Sequence, residues 1–279
     1  MAITSIHRLL SRNIRSKRAF ALPVTFLILL VTTLSLITVT YYFSVQNLQA
    51  QTIVLKASTA QRNFQSLDNI ILSTLGQPGS SNTIDLSDSG GKTRIQPNNN
   101  NLVISVTDGS SIDQTIFNST VGQVIYELPT SASIDMGFYL EGDSQTITNQ
   151  SGASPSQLYI ASGAQGPEIN LRFRPTVTYV TAGLQNGQAV NDIRIYIVNF
   201  NTSIPLTLAG DLPLKISCIN TQLTTQTYQV SYQAESLTIT SQLDDTNGTV
   251  SIPISNTDQG AIINIETVIS NVSIQRWIR

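Results

Sequence analysis

Histidine and cysteine, two side chains that often supply acid–base or nucleophilic chemistry near neutral pH, each occur once in the 279 residues. His7 lies in a basic N-terminal segment, and Cys218 follows an apolar alternation that includes Leu214 and Ile216. This alternation predicts a buried strand cysteine, with a reactive or intermolecular thiol as the alternative. A single cysteine and a single histidine leave no intrachain disulfide, no usual cysteine–histidine zinc site and no convincing catalytic pair.

Carboxylates could still act as an acid–base pair or bind a cation, but no spacing in the chain singles out two of them. The stretch from Asp244 to Gly248 is similar to a calcium loop, yet Leu243 stands where the first aspartate would be, and no glutamate follows at the required distance. A hairpin turn is the preferred interpretation there, and a solvated loop is preferred for Asp85 to Asp88. The sequence therefore predicts no enzyme activity, no metal site and no cofactor.

Charge is scarce and unevenly distributed along the chain. Charged residues make up 11% of the sequence, against roughly 25% in ordinary soluble domains. Five of the 15 basic residues crowd the N-terminus, namely Arg8, Arg12, Arg15, Lys17 and Arg18. The first acidic residue is Asp68, and after Arg18 acidic residues outnumber basic ones. Because that balance would repel phosphate, no nucleic-acid partner is expected.

An uncharged apolar segment follows the basic residues, over positions 19–43. As a helix these residues would reach about 37 Å, which is enough to cross a hydrocarbon core of about 30 Å. Tyr41 and Tyr42 end the segment as an interfacial pair, and the basic flank predicts a cytoplasmic N-terminus with the rest of the chain outside the cell. The alternative is a cleaved secretory signal. It is disfavoured because the apolar region of such a signal is shorter than this segment.

A heptad-like stripe of apolar residues continues beyond this segment and predicts that the helix extends to about residue 75. The stripe, called the seam below, consists of Ala50, Ile53, Ala57, Ala60, Phe64, Leu67 and Ile71. Gly76 and Pro78 then supply a helix terminator. Two alternatives are open for the seam: it packs on the protein's own β domain, or it packs against another helix or another copy of the chain.

The residues around the start of the apolar segment resemble a known family. Arg18, Ala19, Phe20 and Ala21 are similar to the class III signal peptide of archaeal type IV pilins and archaellins, and Pro23 follows as in many archaeal pilin helices. The resemblance implies cleavage between Ala19 and Phe20, anchoring by the uncharged helix, and a β head. The proline lies one position later than in the commoner pattern and the head is large, which favours a minor or non-filament pilin-like protein.

From Thr83 onward, short alternating stretches separated by turn residues predict a mainly β head, sandwich-like and of one or two domains. The best strands are 102–106, 122–128, 157–160, 169–173, 193–200, 214–219, 227–232, 237–240, 249–254 and 261–269. Asn247 with Gly248 is the strongest hairpin signal, and Asn186 with Gly187 is another. The predicted organisation is a leader at 1–19, a helix at 20–75, a β domain at 83–175, and a second β domain or a continuation of the same sandwich at 176–279.

The chain also carries glycosylation sequons and a single tryptophan. Glycosylation sequons occur at Asn118, Asn149, Asn201, Asn247 and Asn271. Trp277, the only tryptophan, is expected to pack into the core from the last strand, with a carbohydrate platform as the alternative.

These observations predict a single-pass membrane protein with an extracellular β head and a structural or adhesive role. Its expected partners are membrane lipid and either further copies of itself or another membrane or surface protein. One alternative is a non-polymerising accessory subunit or surface-layer tether that keeps its leader. The other is a surface β domain that binds carbohydrate or another ligand.

Overall fold

A computed structural model describes residues 3–129, 134–230 and 234–278, with side chains from residue 23 onward. Its single long helix, α1 (Ile3–Thr74), is followed by thirteen strands. The chain divides into two compact units, Met1–Ile53 and Val54–Arg279, so α1 contributes residues to both. The second unit is called the body below.

The helix begins earlier than the sequence predicts. A start near Phe20 was expected because proline is favoured in the first turn of a helix. Instead Pro23 lies inside α1, which begins at Ile3 and includes residues 3–19 of the predicted leader and the backbone of Phe20. The apolar segment therefore does not stand at the start of the helix in the unprocessed chain.

The strands range from three to nineteen residues in length. They are β1 (Ser81–Leu86), β2 (Lys92–Thr107), β3 (Asp113–Glu127), β4 (Tyr139–Glu141), β5 (Ser156–Ser162), β6 (Pro167–Phe173), β7 (Thr176–Gln185), β8 (Gln188–Asn199), β9 (Leu206–Ala209), β10 (Leu212–Val230), β11 (Ser236–Leu243), β12 (Thr246–Pro253) and β13 (Ala261–Arg276). The mainly β character of the chain after residue 80 is thus confirmed.

The strands form two sheets, in the orders β1-β10-β13-β8-β7 and β12-β11-β2-β3-β6-β5-β4, with β9 also paired to β2. All of these pairs are antiparallel except β13 with β8. Each sheet takes strands from both 83–175 and 176–279. The predicted boundary near Arg174 and Pro175 therefore does not separate one sheet from the other, and the strands on its two sides form a continuous structure.

The core between the sheets follows from side chains that alternate along each strand. Ile193, Ile195 and Ile197 of β8 are buried while their neighbours Arg194 and Tyr196 face outward, as a period of two requires. The same cluster contains side chains of both sheets, among them Leu102, Ile104, Val106, Leu237, Ile239, Val250, Ile252, Ile263 and Ile265. Burial of these apolar side chains stabilises the two-sheet body.

Two of the predicted turns have different outcomes. Asn186 and Gly187 join β7 to β8 with φ of 52° and 84°, as a tight hairpin requires. The β11–β12 turn instead uses Asp244 and Asp245, so the prediction of a turn at Asn247 and Gly248 is wrong.

Two features explain why the β11–β12 turn differs from the predicted position. The Asp244 carboxylate accepts hydrogen bonds from the Asn101 backbone N–H at 2.8 Å and from Asn100 Nδ2 at 2.6 Å, which fixes the loop. Gly248 lies within β12, where a Cβ would come 2.5 Å from Thr146 Oγ1. The glycine is therefore needed for close packing and not for a turn.

The seam from Ala57 to Ile71 packs on the protein's own β strands. This is the first of the two alternatives left open by the sequence. Five seam residues of α1 are buried within the body, namely Ala57, Ala60, Phe64, Leu67 and Ile71. The Phe64 ring centroid lies 5.9 Å from that of Tyr126 in β3. Ala50 is exposed and Ile53 is half-buried, so the seam does not continue as one buried stripe.

Truncating the buried part of the seam should destabilise the body. We expect Phe64→Ala to lower the free energy of unfolding by about 3–5 kcal/mol, the usual range for deleting a buried phenylalanine ring. Leu55→Ala, at a residue of the same helix that is 67% exposed, is the matched control and should change the unfolding free energy little. Denaturant unfolding of the full chain in detergent, followed by β-sheet circular dichroism, measures both. Equal stability of Phe64→Ala and the wild type would contradict the docking.

Candidate functional site

The most unusual surface of the protein is the apolar part of α1. Fourteen large apolar or aromatic side chains there are between 47% and 70% exposed. They are Val24, Phe26, Leu27, Ile28, Leu29, Leu30, Val31, Leu34, Leu36, Ile37, Val39, Tyr41, Tyr42 and Phe43. No charged residue occurs from position 19 to position 55. Among the described residues, this is the one helix long and apolar enough to span a membrane.

The polar side chains within this segment are satisfied by the helix itself. Thr33, Ser35, Thr38 and Thr40 each donate a hydroxyl hydrogen bond to the carbonyl four residues earlier, at 2.7–2.8 Å. Because both the backbone and these hydroxyls are paired within one helix, the segment presents almost no unmet hydrogen-bonding groups to its surroundings. A hydrocarbon environment requires this property of a spanning helix.

Further along α1, Asp68 is the only acidic residue of the helix and is 3% exposed. Its Oδ2 accepts a hydrogen bond from Ser156 Oγ of β5 at 2.8 Å, whereas its Oδ1 is buried with no hydrogen-bond partner among the described residues. Burial raises the pKa of Asp68 to about 6; the Ser156 hydrogen bond opposes this effect and the nearby Glu141 adds to it. The neutral carboxyl is therefore the form that suits this position.

Asp68 is one of several polar residues that make hydrogen bonds next to the buried part of the seam. Asn63 Nδ2 donates to the Ser87 carbonyl at 2.9 Å, and Asn82 Nδ2 donates to Thr74 Oγ1 at 3.1 Å. These contacts join the last part of α1 to the segments around β1 and to β5. These contacts could not be predicted, because each partner lies far away along the chain or in a segment without a motif.

A buried arginine was also missed by the sequence interpretation, which used Arg174 only as a domain boundary. Arg174 is 1% exposed and pairs with the Asp143 carboxylate. Its guanidinium also donates to the carbonyls of Gln145 at 3.0 Å and Ser154 at 3.1–3.2 Å. Arg174 therefore holds the loop between β4 and β5 in place, a structural role.

Trp277 does not pack into the core, so the preferred interpretation of this residue is wrong. It is 39% exposed just after β13 and lines a cleft of about 450 Å³ with Asp211, Arg276 and other residues. The buried part of β13 ends at Ile274, and residues 275–278 are exposed. Lys215 Nζ lies 5.6 Å from the indole centroid and takes up one face of the ring. Binding of a carbohydrate in this cleft stays a prediction.

The structure places the five sequons differently. Asn118, Asn201 and Asn247 are exposed, and Asn149 is half-buried. Asn271 is 6% exposed within β13, and its Nδ2 donates to Asn220 Oδ1 at 2.6 Å. A glycan on Asn271 would require this hydrogen bond and the local packing to break.

The residues considered for metal binding or nucleophilic chemistry have structural partners. Cys218 is fully buried, which agrees with the expected strand cysteine. Asp244 holds the β11–β12 turn, as described above. Within 3–129, 134–230 and 234–278, no group of three or more histidine, cysteine, aspartate or glutamate residues could hold a metal ion.

No family model, curated protein or solved structure matches the chain. The candidate site is therefore defined by the chain's own geometry: an exposed, uncharged helix surface in one unit, and a helix end docked through Phe64 and Asp68 in the other.

The raised pKa of Asp68 predicts the pH dependence of stability. The folded-state value of about 6 exceeds the ordinary value of 3.8, so the native state binds the proton more tightly. The stabilising contribution of protonated Asp68 is therefore fully present below about pH 4 and is lost as the pH rises through about 6. The loss for this one group is about 2–3 kcal/mol.

Asp68→Asn keeps a neutral side chain that can accept from Ser156, and it should remove this loss. We expect the variant to unfold at higher denaturant than the wild type at pH 7.5 and at a similar concentration at pH 4.5. Asp113→Asn, which changes an exposed carboxylate of β3, is the control and should not reproduce this pattern. A variant that is less stable than the wild type at pH 7.5 would show that the ionised carboxylate is stabilising.

Proposed function

We propose that the protein is a membrane-anchored structural protein of the cell surface, similar to archaeal type IV pilin-like subunits, with its β body displayed outside the membrane. The observation that carries the proposal is the uncharged, exposed apolar segment of α1 directly after five basic residues. Water would solvate fourteen exposed large apolar side chains at a high free-energy cost, whereas lipid removes that cost.

The energetics of insertion support the anchoring. On a translocon-based scale, each central Leu, Ile, Phe or Val favours insertion by about 0.3–0.6 kcal/mol, whereas a charged residue opposes it by about 2.5–3.5 kcal/mol. The segment has many Leu, Ile, Phe and Val residues and no charged residue. The basic residues before it favour a cytoplasmic N-terminus, which would put the body on the other side.

A structural role agrees with how the polar groups of the body are used. Arg94 pairs with Glu127 and Glu168 at 2.9 and 3.0 Å, and Arg174 clamps a loop. Each of these buried or half-buried charges therefore holds strands or loops together. We infer that the body serves as a rigid surface for assembly or adhesion.

Two forms of the proposal differ in the fate of the leader. A pilin-like protein would be cut between Ala19 and Phe20, which would put Pro23 in the first turn of the mature helix, where proline is favoured. A permanent accessory subunit or surface-layer tether would keep the leader.

Intact-mass measurement and N-terminal sequencing of the protein from its native membrane separate these forms. We expect a mature chain that begins at Phe20. Arg18→Glu reverses the charge beside the cut and should block processing, whereas Arg62→Glu, at an exposed basic residue of the same helix, should be processed normally. A wild-type chain that keeps residues 1–19 would contradict the pilin-like form and favour the tether.

A further inference from the structure

The second half of β10 is a long, unpaired sheet edge. Strand β1 pairs with β10 only from Leu212 to Ser217. Beyond Cys218, the described strands pair with β10 on one side alone, through β13. Residues 219–230, called the β10 edge below, therefore present a row of backbone N–H and C=O groups to solvent along about 40 Å. Such a row is a template for another strand.

The other outer strands of the two sheets carry features that discourage pairing. Strand β1 has six residues, including Asp85, and β4 has three, including Glu141. Strand β12 ends at Pro253, and β7 is interrupted by a bulge between Thr181 and Gly183. Short length, charge, proline and bulges are the usual means by which proteins protect sheet edges.

The β10 edge lacks these features from Asn220 onward. It contains no charged residue, no proline and no glycine, and its only register shift lies at its beginning, between Cys218 and Asn220. Most of its side chains are exposed, including Ile219 at 50% and Leu223 at 62%. Threonine occurs at positions 221, 224, 225 and 227, a residue that fits strands and pairs well with itself across them.

We propose that the β10 edge pairs in antiparallel fashion with the β10 edge of a second copy of this chain, about a two-fold axis near Thr224 and Thr225. A two-fold axis brings the same patch of both copies together, so the patch must be complementary to itself. An edge without charge meets this condition, because no like charges come face to face. The nearest ionised groups on the outer face, Glu266 and Arg194, already neutralise each other.

The paired strands would join the two five-stranded sheets into one continuous sheet. Each backbone pair formed across the axis would replace hydrogen bonds to water, and Leu223 and Ile219 would lose exposed apolar area. All of these residues belong to the body. The inference therefore does not depend on membrane anchoring and can fail or hold independently of it.

A charge placed at the centre of the edge tests the pairing. Thr225→Lys would set two ammonium groups close together across the axis, while within one chain the new ammonium faces Glu266, the cross-strand partner of Thr225. The matched control is Val180→Lys on the opposite edge of the same sheet, where the residue is 60% exposed and faces Asp192.

Sedimentation of the full chain in a non-ionic detergent measures the outcome. We expect a wild-type dimer, a dimer dissociation constant at least about tenfold higher for Thr225→Lys, and wild-type behaviour for Val180→Lys, with unchanged circular dichroism in all three. A monomeric wild type would overturn the proposal, and so would a dimer that Thr225→Lys does not weaken.

Disulfide trapping provides a second test that does not rely on a charged variant. In a Cys218→Ala background, Thr224→Cys or Thr225→Cys should form a disulfide-linked dimer on mild oxidation, because the residue on the two-fold axis lies opposite its own copy in the second chain. Val180→Cys should not. Failure of all cysteine positions from 221 to 227 to cross-link, or equal cross-linking at Val180→Cys, would refute the two-fold β10 pairing.

Discussion

The burial of one stripe of α1 in the β body is the interaction on which the rest of the structure depends. Phe64, Leu67 and Ile71 are almost completely removed from solvent, and Asp68 among them bonds to Ser156. This contact makes the end of a long helix part of the body. The docked residues and the exposed apolar residues belong to one continuous helix, so whatever binds the apolar segment is covalently linked to the residues that dock.

The same helix therefore meets two different requirements along its length. Up to Phe43 its large side chains are apolar and exposed, and its hydroxyls bond back to the helix itself. From Ala57 onward only a stripe is buried, and polar residues such as Asn63 face the rim of the contact. A uniform apolar surface suits lipid, whereas a stripe suits a protein core. The change in pattern along α1 thus marks the change in environment that we propose.

Elements that bury one face, and turns with a typical residue pair, could be predicted from the sequence. The apolar stripe of Phe64 and Leu67, the strand alternation around Cys218, and the turn at Asn186 all follow from local periodicity or turn chemistry. Two predicted strands, 214–219 and 227–232, are parts of one strand, β10, as far as the described residues extend. The polar residues between them gave no signal, because a strand exposed on both faces has no alternation to detect.

The remaining differences arise from long-range contacts. The β11–β12 turn moved because Asp244 bonds to residues of β2, more than a hundred positions away. Trp277 was expected in the core, but the buried part of β13 ends at Ile274. The burial of Asp68 was not predicted, because only the fold brings Ser156 to it. Sequence periodicity carries no information about such partners.

Membrane retention after alkaline extraction is the most direct test of the central claim, that the apolar segment of α1 anchors the protein. The wild-type chain should remain in the membrane fraction. Leu30→Asp combined with Ile37→Asp should be released, since each central charge costs about 2.5–3.5 kcal/mol on insertion, while Leu55→Asp beyond the segment should be retained. Release of the wild type, or full retention of the double variant, would show that this segment is not the membrane anchor.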